Sequence, residues 1–547
     1  MSPEEKKAFQ QMLRGLKNFV GADGKVDLRE SDAMLGLVKP FADQDSDCAA
    51  LVALLEDVRA DGKVTEEESR RVLACINAMS SRNLGLVYGI EDRPPVFEAL
   101  FAALQHLLAI FVAIITPPLL IANGLKIPSE GVGLQTRGFL ISMALVASGI
   151  CTFVQCRRIG PVGSKLLCVQ GTSFQFIGPL IGVGFVGQQM ATAQGSTAEA
   201  AVWGLPMIFG CCIAAAPAEM AAAFLFKRMR KIITPLVSGI VVTLIGLSLV
   251  RAGIVSCCGG YYVLEHLPDQ FASWQNLTIA ASVLLTIVFF NCFRNRFVRM
   301  SSVVFGIGLG YVLAAVFGLL HFKPELGVSL PVPFKWGMQF DLGSIIGLAV
   351  VYFITSLEAA GDITANSMIS GLPINDASYH ARVRGGVLAD GVNSALAGVF
   401  NSFPNSIFAQ NNGLIQLTGV ASRYVGYFIA AMLLLLGLFP VVGMLFSTMP
   451  DPVLGGATLL MFGMVAAAGV RIIASQSIGR KETLVLALAF GAGLGIELCP
   501  VKALADGSTV PYVLYHMPQL VRSIFSSGLV TGGVVAILAN AFIRIKE

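Results

Sequence analysis

The chain is short of charge. Only 13% of its 547 residues are Asp, Glu, Lys or Arg, whereas 55% are hydrophobic, and the mean hydropathy is +0.73. A soluble chain of this length has no means of covering so much apolar surface. The charge it has is unevenly placed: residues 1–93 carry 13 Lys/Arg and 17 Asp/Glu, and the following 454 residues carry 25 and 17. The basic residues form short clusters between apolar runs, which excludes a nucleic-acid footprint, so no nucleic-acid partner is expected. Metal-ligand spacing is missing among the eleven cysteines. Two adjacent pairs, Cys211–Cys212 and Cys257–Cys258, and most of the others in apolar runs, read as small buried hydrophobes. No metal or cofactor is expected. No cleavable leader is expected, because MSPEEKKAFQQMLRGLK is too charged for an apolar leader core. With no nucleophile–base set either, an enzyme is not expected.

What the sequence has instead is long apolar runs of membrane-span length. Fourteen fall near 97–122, 138–154, 166–185, 201–225, 233–250, 276–292, 302–320, 343–370, 385–400, 407–417, 424–446, 453–470, 483–499 and 525–542. With a cytoplasmic N-terminus, every even-numbered run ends at a basic cluster, from Arg157–Arg158–Lys165 to Arg544–Lys546. That places 18 basic residues inside and seven outside, as the positive-inside rule requires, with both termini cytoplasmic. Fourteen divides into seven plus seven, the count that gives inverted repeats. The third run carries Gln170, Thr172 and Ser173 among glycines, and the tenth is short and follows Pro404. Each is third in its half. Interrupted segments at matching positions point to a substrate site at mid-membrane depth.

Residues 1–85 read as a separate soluble helical domain, with residues 86–547 as the membrane domain. Ala22-Asp23-Gly24-Lys25-Val26 recurs as Ala60-Asp61-Gly62-Lys63-Val64. Asp27 and Glu30 follow the first copy, and Thr65 and Glu66–Glu68 the second, as helix caps would. A calcium loop would use Asp57, Asp61, Gly62 and Glu68, but Arg59 takes one ligand position and Phe19 opens the first copy. The repeat resembles a tellurite-resistance-B-type helical domain, for which docking or regulation is the simplest role.

Ionisable groups inside spans usually face a polar pathway. Glu358 lies midway in FITSLEAAGDITANSM, and a lone carboxylate at such depth is a natural proton carrier. Asp362, one turn later, reads as structural. Asp390, among glycines in GGVLADGVNSALAG, suits either a functional acid or a structural latch. His106 reads mainly as a hydrogen-bonding residue of the first span, and Glu219 and Glu497 as structural groups near span ends. Gln410 opens a helix after the break at Pro404, and its carboxamide can match a cyclic amide or imide edge with two hydrogen bonds. Phe174 or Phe408 can stack on a flat heterocycle.

QNNGLIQLTG, residues 410–419, resembles the signature of the nucleobase–ascorbate transporter family: Gln, Asn, any residue, Gly, four residues, Thr, then a variable position. Gln105-His106, Glu358 and Asp390 follow the family's pattern in the same order, over about residues 90–545. The longer run QNNGLIQLTGVASRYVG is similar to that of bacterial xanthine and uric acid permeases. The resemblance implies an all-α polytopic fold of two intertwined seven-helix inverted repeats, with a core domain, a gate domain and a gate-mediated homodimer. It also implies short strands in spans 3 and 10. Among site residues it implies that Glu358 and Gln410 contact the nucleobase, that Phe174, Phe408 and Ala409 line it, and that Ser173 tunes substrate choice. Asp390 would serve coupling, with His106 and Asn411 in its polar network. Gly419 stands where many members carry a basic residue. The function implied is proton-coupled import of uric acid or xanthine across a bacterial inner membrane. An anion carrier of the same architecture, or a ligand sensor signalling through residues 1–85, is the rival reading.

Overall fold

In a computed structural model the described residues are 28–42, 46–60, parts of 64–75, and 86–543 with short breaks, the longest at 320–328 and 504–508. Near the N-terminus, α1 (Leu28–Val38) and α2 (Ser46–Ala60) face each other. Met34, Leu35 and Val38 recur at helical spacing, as do Leu51, Leu55 and Val58, and the two stripes close on each other with Val72. The helix start expected at Thr65 is a reciprocal cap. The Thr65 N–H donates to Glu68 Oε2 at 2.8 Å, and the Glu68 N–H donates to Thr65 Oγ1 at 3.3 Å. The Thr65 hydroxyl, donating to Glu68 Oε2 at 2.7 Å, and the Thr65 N–H together hold the Glu68 carboxyl below its usual range. The repeat copy at Ala22–Val26, with Phe19 and Asp27, lies outside the described residues, as do Asp61–Lys63 and Glu66.

The remaining chain is helical over most of its apolar runs, with extended interruptions in the third and at the start of the tenth. In order come α3 (Val96–Gly124), α4 (Gly131–Arg157), β1 (Gln170–Thr172), α5 (Ile177–Ala193), α6 (Leu205–Ala215), α7 (Pro217–Met229), α8 (Pro235–Cys257), α9 (Trp274–Asn291) and α10 (Ser302–Val316). Then follow α11 (Leu342–Ile369), α12 (Ala377–Val399), β2 (Asn405–Ile407), α13 (Gln410–Thr418), α14 (Arg423–Leu438), α15 (Pro440–Ser447), α16 (Asp451–Ala474) and α17 (Arg480–Leu498). A hairpin of β3 (Val501–Ala503) and β4 (Thr509–Pro511) and then α18 (Gly528–Phe542) complete the described chain. Among the described residues, seven helical segments are long and apolar enough to cross a membrane, with α6 and most of α7 counted together. The pair α14–α15, bent by 77°, makes an eighth if it is one span. Pro440 opens α15, where a missing N–H costs nothing and the fixed φ suits a helix start. None of the eleven cysteines is in a disulfide, and Cys211 and Cys212 are fully buried.

The helices sort into two packed groups. In one, α8 lies along α16 and α18, α17 along α18, and α9 against α10 and α16. In the other, α4 packs on α3, α12, α14 and α15, and α7 on α11 and α12. Contacts of α11 with α8 and α18, and of α3 with α10, join them. Between apolar helices in lipid the hydrophobic effect gives little preference for a partner, so close backbone approach decides which pairs form. At α8–α16 a Cβ on Gly246 would lie 2.3 Å from the Ala466 nitrogen, and one on Gly469 would lie 2.4 Å from the Thr243 nitrogen. No side chain fits between these backbones. Gly246→Leu is therefore expected to lower the melting temperature of the detergent-solubilised protein, at a cost of at least about 1–3 kcal/mol. Gly491→Leu on α17, where nothing lies within 4 Å, is expected to leave it unchanged. Equal melting temperatures for both variants would refute this account of the contact.

Candidate functional site

The site is assembled around an extended interruption in two helical runs. Strands β1 and β2 are antiparallel, with Gln170 opposite Ile407, Gly171 opposite Ser406 and Thr172 opposite Asn405. Two further backbone bonds lengthen the pair, Phe408 N–H to the Val169 carbonyl at 3.0 Å and Ser173 N–H to the Pro404 carbonyl at 2.9 Å. A Cβ on Gly171 would lie 2.5 Å from the Phe408 ring, so glycine is what lets that ring lie against β1. A 3-10 turn at Phe174–Phe176 leads from β1 into α5, and α13 begins three residues after β2. Because the strands are antiparallel, the two helices leave in opposite directions.

Asp390 on α12 ties the strands to their surroundings. Its Oδ1 accepts from Gln155 Nε2 at 2.8 Å and from Gln170 Nε2, and its Oδ2 from Ser406 Oγ at 3.1 Å. The Ile407 N–H is a fourth donor. One helix turn on, Asn393 Nδ2 donates to Gln170 Oε1 at 2.9 Å, and Ser394 Oγ bonds both the carbonyl and the N–H of Asn405, at 3.0 and 3.1 Å. All of these side chains are fully buried or nearly so. The geometry of Asp390 is that of a latch, with four donors facing its carboxyl.

Glu358 on α11 is less occupied. Its Oε2 accepts from Gln175 Nε2, in the turn that follows Ser173. Beside that turn, the Phe174 and Phe408 rings lie 6.5 Å apart between centroids, inclined by 40°, and Phe174 meets Phe462 of α16 edge-on at 5.7 Å. Ala409 is exposed and Gln410, the first residue of α13, is half-buried. Among the described residues the Gln410 carboxamide makes no hydrogen bond, and it stands at the positive end of the α13 dipole. Ser173 is buried at the strand end with its N–H committed to Pro404. Helix α11 packs against β2, α13 and the 3-10 turn, so Glu358, Gln175, the two rings and Gln410 share one region.

His106 and Asn411 meet directly, with Nδ1 and Oδ1 2.9 Å apart and both residues fully buried. Asn411 Nδ2 donates to the Leu167 carbonyl at 2.5 Å, and Asn366 Nδ2 donates to the same carbonyl at 2.9 Å and to Asn412 Oδ1 at 3.0 Å. These amides fasten the segment before β1 to α13 and α11. The residues that sequence reasoning passed over are Gln155, Gln175, Asn366, Asn393 and Ser406. Each is an uncharged polar residue in an apolar stretch, and the available signal was its occurrence near Glu358, Asp390 or the two breaks. Glu219 lies toward the end of the Leu205–Leu225 apolar segment, as expected. It lies just past the α6–α7 junction, is fully buried, and contacts the segment beside Asp390. Gly419 has a local reason to be glycine: it caps α13 with φ 72°, a left-handed backbone that side chains rarely adopt.

Comparison with known proteins agrees with this architecture. The solved structure of murine Solute Carrier 26 family member A9, an anion transporter in the inward-facing state, superposes with a TM-score of 0.50. It is 13% identical and covers 83% of this chain and 69% of its own, a likeness of fold. Xanthine permease XanP of Escherichia coli strain K12 is 44% identical over 465 residues, 84% of this chain and 95% of the relative. Uric acid permease PucJ of Bacillus subtilis strain 168 is 32% identical over 455 residues, 82% and 94% respectively. The family model Xan_ur_permease, described as a permease family, matches residues 97–502. The chain is therefore a helical membrane transporter rather than an enzyme, and it belongs to the Xan_ur_permease family, the nucleobase–ascorbate transporters.

Proposed function

We propose that the protein imports an oxidised purine, uric acid or xanthine, across a bacterial inner membrane together with a proton. The observation that carries this reading is the convergence of one acid, one free carboxamide and two rings at a break in the helices. Uric acid and xanthine are flat and edged by N–H groups between carbonyls. Gln410 offers one donor and one acceptor to such an edge, Glu358 offers a carboxyl to another, and Phe174 and Phe408 cover the faces with Ala409 and Ser173 at the rim. The relatives XanP and PucJ are named for these two substrates. The likeness to an anion transporter concerns the fold alone.

In this reading fourteen membrane segments form two inverted seven-helix repeats, with both termini cytoplasmic. The group containing α12 and the strands is the core, and the group of α8–α10 and α16–α18 is the gate, which pairs with a second copy. Glu358 takes a proton from outside, the purine binds, and movement of core against gate exposes both to the cytoplasm. Asp390 keeps the strands in register, with His106 and Asn411 supporting α13. Residues 1–85 form a tellurite-resistance-B-like accessory domain outside the 86–547 transport unit. Moving one charge across 100 mV supplies about 2.3 kcal/mol, which exceeds the roughly 1.4 kcal/mol of a tenfold gradient.

Three results are expected. Glu358→Gln abolishes accumulation of radiolabelled xanthine or urate under a proton gradient, as a protonophore does in the wild type; wild-type uptake by this variant would refute the role. Gln410→Ala weakens purine affinity roughly 10- to 100-fold, the loss of two hydrogen bonds in a site withdrawn from water, as a competition titration would read. Deleting residues 1–85 leaves uptake intact in the same assay, and loss of uptake with normal membrane insertion would instead make that domain part of the transporter.

A further inference from the structure

Glu219 is the most anomalous group in the molecule. It is fully buried on α7, and neither carboxyl oxygen has a hydrogen-bond partner among the described residues. Helix α7 packs on α12 almost without a gap: a Cβ on Gly391 would lie 3.0 Å from the Met220 nitrogen and 3.3 Å from the Glu219 Cβ. Gly391 follows Asp390, so Glu219 sits beside the latch. The titratable groups acting on it are Asp390 of α12 and Glu358 of α11. Tyr352 of α11 donates to the Cys212 carbonyl of α6 at 3.2 Å.

Four carboxyls of this region, Asp390, Glu358, Asp362 and Glu219, thus differ in how well each is solvated by protein. Among the described residues, Asp390 has four donors, Glu358 has Gln175, Asp362 leaves Oδ2 buried without a partner, and Glu219 leaves both oxygens so. Donors stabilise the ionised form, and a buried carboxyl without them is poorly solvated as an anion. A carboxyl that was permanently protonated for structural reasons would donate its O–H to a fixed acceptor, since buried polar groups are almost always paired. Glu219 has no such acceptor. We infer that Glu219 is a second proton-binding carboxyl of the transport cycle, taking the proton that Glu358 releases and bonding a partner only in another conformation. In that step the Glu358 O–H bond breaks, a Glu219 O–H bond forms, and the net charge of the cluster is unchanged. The inference rests on the symport reading and adds a residue to it.

The test uses the full-length protein in proteoliposomes, with radiolabelled xanthine and an internal pH dye. Glu219→Gln is expected to retain xanthine counterflow, which needs no net proton movement, and to lose about tenfold or more of gradient-driven accumulation together with xanthine-induced acidification. Glu219→Asp is expected to retain both with a shifted pH profile. Wild-type accumulation by Glu219→Gln would overturn the inference, as would loss of counterflow in both variants, which would mark a packing role. Wild-type counterflow without any proton movement would sink the symport reading itself, and this inference with it.

Discussion

The site depends on one solved problem: how an extended chain is kept in register inside an apolar helical protein. Backbone groups in β1 and β2 have no water to bond, and a pair of three-residue strands supplies few ladder bonds of its own. Helix α12 supplies the rest. Asp390, Asn393 and Ser394 fall three and four residues apart, so they share one face. That face holds β1 through Gln170 and β2 through Ser406, Ile407 and Asn405. Gln155 closes the arrangement from α4, since its Nε2 bonds both Asp390 and the Gly386 carbonyl, the latter at 2.9 Å. A buried carboxyl is tolerable when its oxygens are satisfied, and this one has four donors.

The placing of the two rings and of the polar groups beside them follows from that register. Phe174 and Phe408 are placed by the ends of the two strands, and their separation is set by the Gly171 contact and the backbone bonds of Ser173 and Phe408. A slip of one residue would turn every strand side chain to the opposite face. Polar groups in this region therefore divide by occupancy. Those that hold the scaffold, Asp390, Asn393, Asn411 and Asn366, have their donors committed to named acceptors or their oxygens to named donors. Gln410 is uncommitted and Glu358 has a single donor, the condition a ligand-facing group needs.

The sequence made the helices legible and much of the site, for different reasons. Apolar runs such as 343–370 and 233–250 are long and uniform, and α11 and α8 lie on them. Glu358, Asp390 and Gln410 stand out because charge or a signature marks them in an apolar background. The strand pairing was not legible from local pattern, because Gln170 and Ile407 are partners across more than two hundred residues and three residues are too few for an alternation. Gln155 and Gln175 are isolated amides, and only the fold shows that each aims at a carboxylate. Glu219 was legible as a group near the end of an apolar run, but its packing against Gly391 of α12 leaves no mark in the local pattern.

Helix α13 is fixed at its far end as well. It is nine residues long, too short to hold its own direction, and Gly419 ends it in a left-handed turn. The segment just before α3 is laid against that turn. The Val87 N–H bonds the Gly419 carbonyl at 2.7 Å, the Ala421 N–H bonds the Tyr88 carbonyl at 2.8 Å, and the Arg423 N–H bonds the Ile90 carbonyl at 3.1 Å. Arg423 adds a 2.7 Å ion pair to Glu91. Gly419 thus ends α13 in a left-handed turn that a side chain would strain, and its backbone carbonyl receives the strap. Held by β2 at one end and by this strap at the other, the short helix has little freedom to tilt, and the position of the Gln410 carboxamide is set by backbone bonds rather than by its own side chain.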